Sequence, residues 1–295
     1  MKASPLTLVL NIKGREDFLK LKAKLEHMQG APPDQNPSLL ALDRLGIVHF
    51  ARFVFIGEDR IAVITDFDGT IDEYAAAFAD EMGPTFDLLL EHVTDHPRLP
   101  VKDNQHEFLA FVKLNDLKCI EPFYSAYPEL GVQDILTLAE TDEGKKLAAS
   151  PFSEKASPLT LVMDIKSRDD FGILRQKLEK MQAAPPEQNP SRTALDRLGI
   201  VHYARFVFIG EANVAVITSF DGTMEKYVSA FANEMGDTFD LLLEHVTDHP
   251  PLPVKDNQAE FLAFVQKYDL KCIEPFYSAY PKLSVQDVLT LQASC

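Results

Sequence analysis

The chain has 295 residues, of which 46% are hydrophobic, so it can bury one or two cores. Its formal net charge of −16 excludes nucleic acid and anionic membrane surfaces as natural partners, because both repel an acidic protein. No apolar stretch reaches the ~20 residues that a membrane-spanning helix needs.

The cysteines bear on the compartment. Cys119, Cys272 and Cys295 form no C-x-x-C pair, which favours a reducing, cytoplasmic setting. We therefore expect a cytoplasmic protein. The partner that we expect is a small-molecule ligand or substrate. The sequence leaves self-association as a homo-oligomer open.

The chain contains a long internal repeat. Residues from Ser4 to about Leu138 recur from Ser157 to about Leu291 at a constant offset of 153. A period this long indicates a duplicated domain rather than a solenoid. We predict a first unit at 1–140, a polar linker at 141–156 and a second unit at 157–295.

The first half of each repeat predicts a strand, a helix and a hairpin. In the first repeat the strand is "SPLTLVLNI", and the amphipathic helix is "REDFLKLKAKLEHMQ". A short helical turn, "LLALDRLG", leads into the strand "IVHFARFVFI". Gly57 to Asp59 form a tight turn, and the chain returns as the strand "RIAVITDF".

The second half predicts helices and a last strand. The helix "IDEYAAAFADEM" is interrupted at Gly83-Pro84 and resumes as "TFDLLLEHVTDH". The helix "NQHEFLAFVKLN", the strand "KCIEPFYSAY" and the helix "GVQDILTLA" follow. The order β-α-β-β-α-(α)-β is the ferredoxin-like arrangement, in the α+β class.

The hairpin strand at 47–56 is apolar on both faces, so both faces of its sheet should be covered. Two linked copies would satisfy this if their bare faces closed on each other. We expect two ferredoxin-like units packed sheet to sheet as a pseudo-twofold α+β barrel.

This element order resembles the dimeric α+β barrel superfamily, here fused into one chain. That superfamily includes antibiotic-biosynthesis monooxygenases, haem-degrading enzymes, and the chlorite-dismutase and dye-decolorising-peroxidase groups. The stretch "LGIVHFARF", followed by a strand and "FDGT", also resembles an uncharacterised bacterial group of this shape. The resemblance implies an oxidoreductase, haem-dependent and peroxidase-like or monooxygenase-like, acting on an aromatic or apolar substrate. A non-catalytic ligand-binding or assembly module is the alternative.

The stretch "DFDGT" resembles the nucleophile motif of the haloacid-dehalogenase family, which would make Asp66 an Mg²⁺-dependent phosphatase nucleophile. Two observations disfavour that hypothesis. The second repeat carries Ser219 at the position of Asp66, and the motif ends a hairpin rather than a parallel strand. We favour Asp68 as a helix N-cap. Dye-decolorising peroxidases use the Asp of a G-x-x-D-G motif at the haem, and Asp68 and Asp221 would be its counterparts.

The stretch "LLLEHVTDHP" places His92 and His96, and likewise His245 and His249, four residues apart. On a helix both rings of a pair could reach one metal ion. Favourable placement at a helix C-terminus is the alternative. His92 and His245 would be the axial ligands if haem binds on the helix side.

His49 and His202 lie in the most apolar strand of each repeat. They are either pocket-lining ligands or acid/base groups, or core histidines bonded to a carboxylate or backbone group. Arg52 and Arg205 have the opposite strand parity and need an anionic partner, either a nearby Asp or a carboxylate ligand. The candidate catalytic residues are therefore His49, His202, Arg52, Arg205, Asp68 and Asp221.

Overall fold

The computed structural model describes residues 3–150 and 155–294. It confirms the α+β class, with two antiparallel four-stranded sheets, compatible with a ferredoxin-like type of fold. Two features of the sequence analysis lie outside the described residues: part of the predicted linker, 151–154, and Cys295. Of the described helices, none combines the length and the apolar character needed for a bilayer crossing.

The first repeat contributes four strands and six α-helices. The strands are β1 (Ala3–Asn11), β2 (Val48–Ile56), β3 (Arg60–Asp68) and β4 (Tyr124–Ser125). The helices are α1 (Arg15–Gln29), α2 (Pro37–Leu45), α3 (Ile71–Glu81), α4 (Gly83–Leu90), α5 (Gln105–Asn115) and α6 (Val132–Ala139). A 3₁₀ helix, Val101–Asn104, precedes α5.

The helix α7 (Asp142–Ala148) follows within the predicted linker. The strands of the second repeat are β5 (Ala156–Asp164), β6 (Val201–Ile209), β7 (Asn213–Asp221) and β8 (Tyr277–Ser278). Its helices are α8 (Arg168–Gln182), α9 (Pro190–Leu198), α10 (Met224–Leu243), α11 (Gln258–Tyr268) and α12 (Val285–Ala293), with a 3₁₀ helix at Pro186–Gln188.

The two compact units do not coincide with the two sequence repeats. Unit 1 comprises Met1–Leu117, Pro128–Thr137 and Lys271–Tyr280, and its sheet has the order β1-β3-β2-β8. Unit 2 comprises Lys118–Tyr127, Leu138–Leu270 and Pro281–Cys295, and its sheet has the order β4-β6-β7-β5. The short last strand of each repeat therefore completes the sheet that the other repeat begins.

The predicted hairpin is confirmed. β2 pairs with β3 from Val48↔Phe67 to Ile56↔Arg60, and the turn passes through Gly57 at a φ of 65°. Successive residues of both strands are buried, which confirms that both faces of the sheet are covered. The predicted last strand is much shorter than expected, because β4 spans only Tyr124–Ser125.

The predicted helix break at Gly83-Pro84 is confirmed in the first repeat only. There α3 ends at Glu81 and α4 begins at Gly83. In the second repeat Asp237 replaces Pro84, and α10 runs through without interruption. A proline ring clashes with the carbonyl one turn earlier, whereas an aspartate keeps its N–H and allows the helix to continue.

Gly199 ends α9 in the left-handed conformation, at a φ of 57°. A Cβ here would also clash with Nε2 of Gln286, which donates a hydrogen bond to the Gly199 carbonyl at 2.9 Å. Gly210 has a similar φ of 63°, but a Cβ there meets nothing within 4 Å. Alanine substitutions at Gly210 and Gly199 therefore distinguish the cost of backbone strain alone from the cost of strain plus a steric clash.

We predict that Gly210→Ala lowers the free energy of unfolding by about 1–2 kcal/mol, the cost of a left-handed alanine. Gly199→Ala should cost about 1 kcal/mol more, because the Gln286 hydrogen bond is displaced as well. Urea unfolding of both variants measures the difference. Equal losses would mean that the Gln286 contact contributes nothing to stability.

Candidate functional site

A buried network of hydrogen bonds surrounds His49 in unit 1. The ring is fully buried, with Nδ1 2.9 Å from the hydroxyl of Tyr280 and Nε2 2.9 Å from Oδ1 of Asp68. Oδ2 of Asp68 accepts the backbone N–H of Val132, at the start of α6, at 2.7 Å. We call these four groups the Tyr–His–Asp network.

Unit 2 contains the same network. His202 is fully buried, with Nδ1 2.7 Å from the hydroxyl of Tyr127 and Nε2 2.7 Å from Oδ1 of Asp221. Oδ2 of Asp221 accepts the N–H of Val285 at 2.7 Å. Because both ring nitrogens of each histidine are already bonded to protein groups, the geometry favours the core-histidine interpretation over a pocket ligand.

The predicted N-cap role of Asp68 is wrong. Thr70 caps α3: its side chain accepts the N–H of Glu73, and the Glu73 carboxylate reaches back to the N–H of Thr70. Asp68 lies two residues before the cap, and both of its oxygens are engaged by His49 and Val132. The phosphatase hypothesis also lacks its scaffold, because the strands pairing with β3 are both antiparallel.

The predicted helix through His92 and His96 is wrong as well. α4 ends at Leu90, and Val93 forms an isolated bridge with Ile12. His96 follows Asp95, whose φ is 53°, and its Nδ1 lies 2.8 Å from the Pro97 carbonyl oxygen. His245 and His249 repeat this arrangement after α10, which ends at Leu243.

The i, i+4 spacing that would direct two rings at one metal ion is therefore not formed. Within residues 3–150 and 155–294, no group of three His, Cys, Asp or Glu side chains is placed to hold a metal ion.

His92 is instead the buried centre of a second polar array, whose other members, Asp17 and Lys24, are partly exposed. Its Nδ1 lies 2.8 Å from Oδ1 of Asp17, and its Nε2 lies 3.0 Å from Nζ of Lys24. Because an ammonium group can only donate, Nε2 accepts the hydrogen bond from Lys24. Nδ1 therefore carries the ring N–H, which donates to the Asp17 carboxylate. That hydrogen bond lowers the pKa of Asp17. His245 forms the same array with Asp170 and Lys177.

Each unit has a pocket between its sheet and the helices that cover it. Counted with its solvent-filled mouth, it spans about 390 Å³ in unit 1 and about 500 Å³ in unit 2. The apolar lining of unit 1 consists of Leu42, Phe53, Val63, Phe78, Met82 and Phe86. The equivalent lining of unit 2 consists of Leu195, Phe206, Val216, Phe231, Met235 and Phe239.

Several polar side chains of the pocket wall bond to neighbouring protein groups. In unit 1 the hydroxyl of Thr65 lies 2.9 Å from that of Tyr74, and Oε1 of Gln29 accepts from Asn36 at 2.9 Å. At the mouth the hydroxyl of Tyr277 donates to Asp43 at 3.0 Å. Burial, and secondarily the Asp43 charge, raises the pKa of Tyr277, so this hydroxyl stays protonated. A wall with its hydrogen bonds satisfied internally suits an apolar ligand.

The predicted arginines do reach the pockets. Arg52 is among the residues that line the pocket of unit 1, and Arg205 among those of unit 2. Each guanidinium lies over an aromatic ring of the same unit, 5.7 Å from the centroid of Phe276 and 5.8 Å from that of Phe123. The candidate catalytic residues are thus divided between the pocket wall and the buried Tyr–His–Asp network.

The histidines considered as axial haem ligands, His49, His92, His202 and His245, do not fit that role. The lining of either pocket includes no His or Cys. Both ring nitrogens of His49, His92 and their counterparts His202 and His245 are engaged by protein groups.

Several pocket residues were not singled out from the sequence, notably Gln29, Ser38 and Thr65. Their spacing matches any helix or strand that packs on a core, so no pattern distinguishes a pocket wall from a filled interior. One pocket difference was visible in the aligned repeats: Leu39 in the first is Arg192 in the second.

We predict that His49→Leu lowers the free energy of unfolding by about 3 kcal/mol or more, because it leaves a buried carboxylate and a buried hydroxyl without their histidine partner. Tyr280→Phe removes one hydroxyl and should cost only about 1–2 kcal/mol. Urea unfolding of both variants tests this order. A loss below 1 kcal/mol for His49→Leu would contradict a structural role.

We predict that Asp17→Asn lowers the melting temperature at pH 7 and that this effect becomes smaller as the pH falls below about 3.9. The pKa of Asp17 is lowered in the folded state, chiefly by the hydrogen bond from His92. Its carboxylate therefore stabilises the fold above the unfolded-state pKa of about 3.9, and this contribution disappears as the pH falls through the folded-state pKa. Melting curves at pH 7, 5 and 3 measure it. Asp34→Asn, the same change at an exposed site, is the control and should show no such trend.

Comparison of the chain with protein-family models, with curated proteins and with solved structures returns no match. The superfamily resemblance therefore stays a prediction. The observations that bear on function are the geometry of the pockets and that of the polar arrays.

Proposed function

We propose that the protein binds a small apolar or aromatic molecule in the pocket of each unit. The observation that carries this proposal is the pocket itself, built twice from equivalent residues. A predominantly apolar wall with a few polar groups is the composition typical of small-molecule sites.

The wall chemistry supports an aromatic or apolar ligand. Phenylalanine, leucine, valine and methionine side chains form most of the surface, and a methionine adapts its shape to the bound molecule. The polar wall atoms that already bond to protein groups, as Gln29 and Thr65 do, need no hydrogen-bond partner on the ligand. Burial of apolar ligand surface, at about 25 cal/mol per Å², would be the main source of affinity.

Oxidoreductase chemistry stays a prediction from the superfamily resemblance. The pocket would supply such a reaction with an apolar environment and with an arginine, Arg52 or Arg205, at its wall. An absorption spectrum with and without added hemin tests the haem prediction. A sharp Soret band would support it, and a spectrum that hemin only broadens would remove it.

We predict that the neutral probe N-phenyl-1-naphthylamine binds with two sites per chain and with increased fluorescence. Ala51 and Ala204 line the two pockets, so Ala51→Phe and Ala204→Phe should each fill one pocket and remove one site. Fluorescence titration gives the number of sites.

The control is Leu114→Phe, which enlarges an apolar side chain that is 82% exposed on α5. It should leave both sites intact. Circular dichroism melting confirms that each variant is folded. Absence of saturable binding to the wild-type protein, or two sites retained in both folded filling variants, would overturn the proposal.

A further inference from the structure

We infer that the two pockets select different ligands: the pocket of unit 2 takes an apolar molecule with an anionic head group, and the pocket of unit 1 takes a neutral one. This inference rests on the proposed binding function. It begins from one position in the first turn of the helix at the mouth. That position is Leu39 in α2 and Arg192 in α9, and it is the one position lining both pockets whose residue differs.

The backbone holds this position in the same way in both units. The side chain of Asn36 accepts the N–H of Leu39 at 3.1 Å, and that of Asn189 accepts the N–H of Arg192 at 3.0 Å. Each is therefore anchored in the first turn of a nine-residue helix. The helix N-terminus adds a partial positive charge at both mouths, and each wall contains an arginine, Arg52 or Arg205. The difference between the pockets is therefore the additional guanidinium of Arg192.

The guanidinium of Arg192 is placed to bind an entering anion. Its Nε lies 4.0 Å from Oδ2 of Asp196, which is beyond hydrogen-bonding distance. The Arg192 side chain is about one third exposed, so it lies at the rim rather than in bulk solvent. A carboxylate or sulfonate can therefore engage the planar fork of donors without displacing a bond to Asp196.

The mouth of unit 1 has the opposite character. Asp43 accepts the hydroxyl of Tyr277 at 3.0 Å, and Leu39 stands where unit 2 has its arginine. In unit 2 the equivalent Asp196 interacts with Tyr124, and the charge of Arg192 acts on the same hydroxyl. An anionic head group would thus meet a carboxylate next to leucine in unit 1, and a carboxylate offset by arginine in unit 2.

The apolar part of the ligand would occupy the same kind of space in both units. The positions of Phe231, Met235 and Phe239 in unit 2 carry the same residue types in unit 1. Discrimination between the ligands therefore comes from the head group at the mouth. The ligand class for unit 2 is an aryl or alkyl monoanion, and for unit 1 its uncharged analogue.

Two probes with the same ring system test the inference. N-phenyl-1-naphthylamine is neutral, and 8-anilinonaphthalene-1-sulfonate carries one sulfonate on the same skeleton. We expect the wild-type protein to bind the neutral probe at two sites and the sulfonate probe at one. Arg192→Leu should weaken the sulfonate site about tenfold or more and leave both neutral sites, because a charge-assisted hydrogen bond is lost. Leu39→Arg should create a second sulfonate site.

The matched control is Arg197→Leu, which removes the same charge from the same helix. Arg197 pairs with Glu234 at 3.2 Å and does not line the pocket, so the sulfonate site should remain. Two neutral sites combined with no sulfonate site, two sulfonate sites, or a sulfonate site indifferent to Arg192→Leu would overturn this inference alone. Absence of binding of either probe to the wild-type protein would overturn the proposed function as well.

Discussion

The Tyr–His–Asp network is the interaction on which the rest of each unit depends. A buried carboxylate is strongly unfavourable unless it is bonded, and Asp68 satisfies this requirement with His49 and the N–H of Val132. His49 in turn bonds Tyr280, which comes from the far end of the sequence. One network thus joins β2, the end of β3, the start of α6 and the segment that contributes β8.

The pocket depends on that network through chain continuity. Tyr280 is anchored in the network, and three residues earlier Tyr277 lines the pocket and bonds Asp43 at its mouth. The polar array of Asp17, His92 and Lys24 holds α1 to the turn that follows α4. The network and this array both lie outside the pocket, and under the proposed function the apolar wall would contact the ligand.

Errors in the sequence-based predictions arose where a short pattern had two physical solutions. His92 and His96 have helical spacing, but α4 ends at Leu90 and Val93 forms a bridge with Ile12, just after β1. Asp68 has the right residue type for an N-cap, but Thr70 and Glu73 form the cap. The Asp68 carboxylate instead forms a hydrogen bond with the buried His49. In both cases a long-range contact outweighed a local preference.

The sequence by itself determined the duplication, the α+β class, the β2–β3 hairpin and the break that Pro84 makes between α3 and α4. These features follow from periodicity and from backbone chemistry, which act between near neighbours. Only the tertiary structure decided which residues meet His49, that β8 completes the sheet of unit 1, and that a pocket lies between sheet and helices. Those outcomes depend on contacts between residues as far as 234 positions apart, and no local pattern encodes them.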